Sequence, residues 1–203
     1  MNPPRKDRKP WPMKWIVVSI LVFIPIYTYL TLHYRRPGPA FNPYRDMRDR
    51  ADVIRLLKAG YQRIAVDAAR PAEDVAVEGG ASSPAPGGLP DDLKKTLIET
   101  PLMAQEISSV SAAPTAVSGI DYSIGLTYTI PDNKRQLSGA HLYEKPGEIV
   151  IVADFERLSG GLLSRTRDGS VILDIPPGSL RPGTYHVTLV GERASRSWTL
   201  RVR

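Results

Sequence analysis

The sequence predicts a mainly β chain carried on an N-terminal membrane-spanning helix. Three observations point there: an uncharged apolar run at Trp15–Leu32, a change of apolar period from 3.6 to 2 in the second half, and turn residues between the period-2 segments. The expected organisation is a basic tail over 1–14, a transmembrane helix over 15–32, and a juxtamembrane helix and strand over 42–69. A flexible Pro/Gly/Ala linker over 71–90 and an antiparallel β-sandwich of about seven strands over 104–203 complete it.

The run WIVVSILVFIPIYTYLTL carries no charge in 18 residues. At about 1.5 Å per residue it spans about 27 Å, close to the hydrocarbon core of a bilayer. Pro25 removes one backbone donor, which membrane helices tolerate. Trp11 and Trp15 at one end, and Tyr27, Tyr29 and Tyr34 at the other, suit the interfacial aromatic belts. The run is longer than the apolar region of a secretory signal and leads into His33-Tyr34-Arg35-Arg36-Pro37 without a small-residue cleavage site. The expectation is an uncleaved signal-anchor.

Charge supports it. The formal net charge is +6, and it sits beside the apolar run. Residues 1–14 carry Arg5, Lys6, Arg8, Lys9 and Lys14 against Asp7; residues 33–52 carry Arg35, Arg36, Arg45, Arg48 and Arg50 against Asp46, Asp49 and Asp52. Residues 53–203 balance. The basic character therefore marks membrane flanks and speaks against a nucleic-acid partner. Lysine and arginine tie at five on each flank, so orientation rests on the crowding of the first five into a short tail: N-terminus cytoplasmic, C-terminal part extracytoplasmic, or periplasmic in a bacterium. There is no cysteine, which removes disulfides, thiolate metal sites and cysteine nucleophiles.

After Pro37-Gly38-Pro39 the stretch 42–59 reads as a helix, with Met47, Ala51, Ile54 and Leu57 on one face, Asn42-Pro43 at its start and Gly60 as its C′ residue. A short strand is expected over 61–69. Such a unit cannot bury a core alone and must pack on the membrane surface, the C-terminal domain or a partner. The run GGASSPAPGG within 71–90 has no apolar period.

Beyond residue 104 the period is 2. Tyr122, Ile124, Leu126, Tyr128 and Ile130 alternate with small or polar residues, and so do Val171, Leu173 and Ile175; Tyr185, Val187 and Leu189; and Trp198, Leu200 and Val202. Further strands are expected near 107–117, 136–143 and 148–152. Turns are expected at Pro131-Asp132-Asn133, Lys145-Pro146-Gly147, Asp168-Gly169, Pro176-Pro177-Gly178 and Pro182-Gly183.

The run SVILDIPPGSLRPGTYHVTLVGERASRSWTLRVR resembles the last three strands of an immunoglobulin-like or fibronectin type III-like sandwich. The resemblance covers about residues 104–203 and implies that Tyr185, after Leu180 and Pro182-Gly183, returns a hydroxyl hydrogen bond to the backbone upstream. It lacks the cysteine pair and an obvious strand C tryptophan of antibody-type domains, and it implies nothing about function.

No reactive constellation emerges. His186 should face outward, His141 could lie near Glu144, and His33 stands at the membrane edge; none has metal-ligand spacing. No G-x-S-x-G elbow or phosphate loop occurs. Catalytic, cofactor-binding and metal residues are therefore expected to be none, no enzyme activity and no cofactor are expected, and no binding residue can be assigned. Trp198, Tyr185, Tyr122 and Tyr128 are expected in the core, whereas Tyr143 and Phe155 are the candidates for exposed contact. The functional expectation is a membrane-anchored display or scaffold protein, held by lipid through 15–32, whose sandwich binds a protein partner or envelope component. A transmembrane signalling or sensor subunit and a carbohydrate-binding module are the alternatives.

Overall fold

The computed structural model describes residues 12–34, 43–69 and 80–203. The chain divides into two units, Met1–Pro43 and Tyr44–Arg203. The tail at 1–11 and the first half of the expected linker lie outside the described residues.

The first unit contains helix α1, Met13–Tyr34, with Pro25 inside it. Its 19-residue apolar span Met13–Thr31 is exposed among the described residues. Phe23 stacks on Tyr27 at 5.9 Å and Tyr29 on His33 at 5.7 Å, as residues four apart on one face do.

The second unit begins with helix α2, Pro43–Lys58, and strand β1, Gln62–Ala69. Then come β2 (Ser83–Pro86), helix α3 (Asp91–Thr96), β3 (Glu106–Ala112) and β4 (Thr115–Ala116). The remaining strands are β5 (Tyr122–Thr129), β6 (Arg135–Lys145), β7 (Glu148–Arg157), β8 (Asp168–Ile175), β9 (Gly183–Val190) and β10 (Ala194–Val202). Eight of them close into a barrel in the order β10-β3-β5-β8-β1-β6-β7-β9, with β9 pairing back to β10. β2 and β4 pair with β10 outside this ring. Most neighbours are antiparallel, but β7–β9 and β10–β3 are parallel.

This corrects the expected β-sandwich and its immunoglobulin-like resemblance. The period-2 faces are where the sequence puts them, since Tyr122, Ile124, Leu126, Val171, Leu173, Ile175, Val187, Leu189, Trp198, Leu200 and Val202 are all buried in one cluster. Periodicity fixes which side chains point inward, not which strands are neighbours. Here β1 bridges β8 and β6, so the strand expected to belong to a separate unit is part of the wall. Tyr185 does donate to the carbonyl of Arg181 at 2.9 Å. That bond belongs to the turn and occurs in a barrel as well as in a sandwich.

Other expectations change for local reasons. Residues 80–90 are not linker: β2 pairs with Ala194–Ser197 and Leu89 is buried. Asp168-Gly169 is not a turn but the start of β8, where Gly169 lies opposite Tyr128. A Cβ at Gly169 would come 2.6 Å from the end of the Tyr128 ring, so a side chain there would have to displace the ring. In β3 a bulge between Ile107 and Ser109 shifts the inward series from Ile107 to Val110.

α2 ends as its sequence requires. Gly60 has φ 85°, its N–H donates to Leu57 O at 3.1 Å, and the Tyr61 N–H donates to Leu56 O at 2.9 Å. This is a Schellman stop, and its accompanying contact is made by Leu56 and Tyr61, both buried. They join Leu89, Leu93, Met103, Tyr143, Val150, Val152 and Val190 in a second core on the barrel's outer surface. Strand β7 is therefore buried on both sides, with Ile149, Ile151, Ala153 and Phe155 inside and Val150 and Val152 under the helices. That is why Tyr143 and Phe155, expected as exposed contacts, are buried. The barrel takes the side of α2 away from the apolar series: Leu56 and Asp52 are buried, whereas Met47, Ile54 and Leu57 are exposed.

Two outcomes follow from barrel closure and from burial of its tyrosines. A chain trimmed to residues 104–203 lacks β1 and leaves one edge each of β8 and β6 unpaired; it should show no cooperative thermal transition, whereas 44–203 should melt in one step by circular dichroism. Burial raises Tyr122, Tyr143 and Tyr185 from 10.0 to about 12. A group whose folded pKa is raised contributes stability that is complete below its unfolded pKa and is lost as pH climbs to the folded one. Stability should therefore fall between pH 10 and about 12, and absorbance at about 295 nm should show these tyrosines ionising together with unfolding.

Candidate functional site

A surface cleft of about 630 Å³ lies where α2, β1, β6, β7 and the segment 97–102 meet. Its polar centre comes from three neighbouring strands. Ala140 and Leu142 point into the barrel, so His141 and Tyr143 between them point out. On β7 the same alternation turns Asp154 outward, and on β1 it turns Arg63 outward. Ala65 lies opposite His141 and Gly139 opposite Asp154, so Arg63 and Asp154 each approach the imidazole along a sheet diagonal.

His141 is engaged at both nitrogens. Nδ1 bonds Asp154 Oδ2, and Nε2 lies 2.6 Å from Arg63 Nη2. A guanidinium only donates, so Nε2 is the acceptor and the ring proton sits on Nδ1, facing the carboxylate. Arg63 also lies 3.9 Å from Asp49 of α2. Asp154 Oδ1 is buried and has no hydrogen-bond partner among the described residues. Beside this group, Tyr143 is pushed up to about 12 chiefly by burial, with Asp154 adding to it and Arg63 opposing.

α2 roofs the cleft. Asp52, buried, accepts the Ile98 N–H at 2.8 Å, and Arg48 pairs with Glu99. The Leu102–Phe155 bridge holds the far end of the 97–102 segment to β7. Three arginines (48, 63 and 157) face five carboxylates (Asp49, Asp52, Glu99, Asp154 and Glu156) around the lining, an excess of carboxylates. An occupant that brings hydrogen-bond donors and positive charge suits such a lining, beneath which Asp154 Oδ1 is left as an unpaired acceptor.

With Arg63 on Nε2, the imidazole presents no free lone pair to a substrate or metal. Ser138 Oγ donates to the Asp154 carbonyl at 3.1 Å rather than to the imidazole. The described residues contain no group of three or more His, Cys, Asp or Glu placed to hold a metal. His141 does not meet Glu144: Glu144 points into the barrel, where the Tyr185 hydroxyl lies 2.9 Å from its Oε1. His186 is exposed on β9. Trp198, Tyr185 and Tyr122 are interior, so they offer no aromatic platform to a sugar.

The Arg63–His141–Asp154 group carried no signal in the sequence, because the residues lie far apart and share no spacing. Only the alternation of His141 with inward Ala140 and Leu142 marks it as outward. Protein families, curated proteins and solved structures were compared with the chain, and none matches.

The shielded Nε2 gives a direct test. Diethyl pyrocarbonate should modify exposed His186 readily and His141 slowly. Arg63→Met should free Nε2 and raise the His141 rate toward that of His186, read by mass spectrometry of peptides.

Proposed function

We propose that the protein is a single-pass membrane-anchored binding protein whose barrel presents the acidic cleft to a cationic, donor-bearing partner. The observation that carries this reading is α1. Its 22 residues reach about 33 Å at about 1.5 Å each, and its apolar span is exposed among the described residues. In water such a surface is unstable, and a bilayer is the environment that suits its length and composition. The basic residues on both flanks add attraction to anionic headgroups.

The barrel supports the second half of the reading. It is a closed scaffold with its own core, and the polar group in its cleft is held in one arrangement by three strands. Such rigid presentation serves recognition. The crowded basic tail favours a cytoplasmic N-terminus and a barrel on the opposite face.

Alkaline carbonate extraction of membranes should leave the full-size chain in the pellet, retaining residues 1–34 by mass. A shortened, soluble product would identify α1 as a removed signal and overturn the anchor. Protease added outside sealed cells or spheroplasts should reach the barrel; protection there, with digestion in inverted vesicles, would reverse the orientation.

A further inference from the structure

Helix α2 has a second face that the barrel does not use. Asp52 and Leu56, four residues apart, form the strip buried against the barrel. On the opposite side Met47, Ile54 and Leu57 follow at steps of seven and three, and they are 65%, 55% and 62% exposed, with Val53 beside them at 41%. A helix packed along one strip that keeps apolar side chains at helical spacing on the other side is open to a second partner. Among its described side chains, Arg50, Arg55 and Lys58 are exposed basic residues, and Asp49, the exposed acid, is turned to Arg63 at 3.9 Å.

We propose that this face lies in the headgroup layer of the membrane that holds α1, with Met47, Ile54 and Leu57 inserted and Arg50 and Lys58 on anionic phosphates. The inference rests on the anchor reading above. Two observations favour lipid over a second copy or another protein. Eight residues, 35–42, separate the end of α1 from the start of α2, so covalent geometry holds Pro43 within about 32 Å of Tyr34. With α1 spanning, a lipid surface is thus always within reach, at no cost in diffusional encounter. The face also interleaves basic and apolar side chains, with Arg50 between Ile54 and Leu57 and Lys58 beside Met47 in helical projection, so the ammonium and guanidinium heads can reach anionic phosphates; a self-association face would leave like charges opposed.

The absence of cysteine makes the test clean, because one introduced thiol is the only label site. Four single variants of the full chain are reconstituted into phosphatidylcholine vesicles with and without phosphatidylglycerol: Ile24→Cys in α1, Ile54→Cys and Leu57→Cys on the face, and Ser109→Cys on β3 across the barrel. Each carries a nitroxide, and collision with oxygen and with a water-soluble nickel chelate reports depth. The expected result is oxygen-dominated contact at 24, loss of nickel access at 54 and 57 relative to 109, and a greater loss when phosphatidylglycerol is present. Nickel access at 54 and 57 equal to that at 109, with 24 still lipid-buried, overturns the docking and leaves the anchor standing. Nickel access at 24 as well overturns both. Shielding at 54 and 57 that comes with spin–spin broadening, and is lost on dilution with unlabelled chain, assigns the face to a second copy and also overturns the proposal.

Discussion

Closure of the barrel is the constraint on which the rest of the structure depends. An open sheet presents unpaired N–H and C=O groups at two edges, and closing the ring removes both. Here closure needs a strand from each end of the folded unit. β1 sits between β8 and β6, while β10 joins β9 on one side and β3 on the other. Neither the first nor the last strand can be dropped without reopening the wall. Two seams, β7–β9 and β10–β3, run parallel, so the chain crosses from one side of the ring to the other instead of proceeding by hairpins alone.

Closure also explains why one strand carries so much. An eight-stranded barrel is narrow enough for side chains to fill, so each strand turns one apolar face inward. β7 turns the other to α2 and α3. Its sequence EIVIVADFER is a near-continuous apolar run where its neighbours alternate, and the run stops at Asp154, where the helical cover gives way to the cleft. The limit of the outer core and the edge of the polar site are the same position.

What the sequence disclosed divides along the same line. Inward faces are local properties, and Ile124, Leu173, Val187 and Leu200 could be assigned to the core from alternation alone. Pairing partners are non-local, so the same alternation served equally for a sandwich. β2 was hidden because SPAP has no large side chain to mark a face, and it is held by main-chain pairing to β10. The helix at 43–58 and its Gly60 stop were legible because capping is local, yet its buried face was not: the apolar series Met47, Ile54 and Leu57 outweighed Leu56 and a carboxylate, Asp52, whose burial is compensated by the Ile98 N–H. The site was least legible, since His141 gains its partners only when β1 and β7 are laid on either side of β6.

α2 ties these features together. Its barrel-facing strip is fixed by Leu56 in the outer core and by Asp52 on the 97–102 segment, and Arg48 and Asp49 from the same helix line the cleft. A helix is rigid over 16 residues, so fixing one face fixes the other. Whatever covers Met47, Ile54 and Leu57 is therefore held about one helix diameter, roughly 10 Å, from the cleft wall. If that cover is the headgroup layer, the acidic cleft opens close to an anionic surface, where basic partners accumulate. Carboxylates in the lining then select, among the cations already drawn to the membrane, those able to reach Asp154 past Arg63.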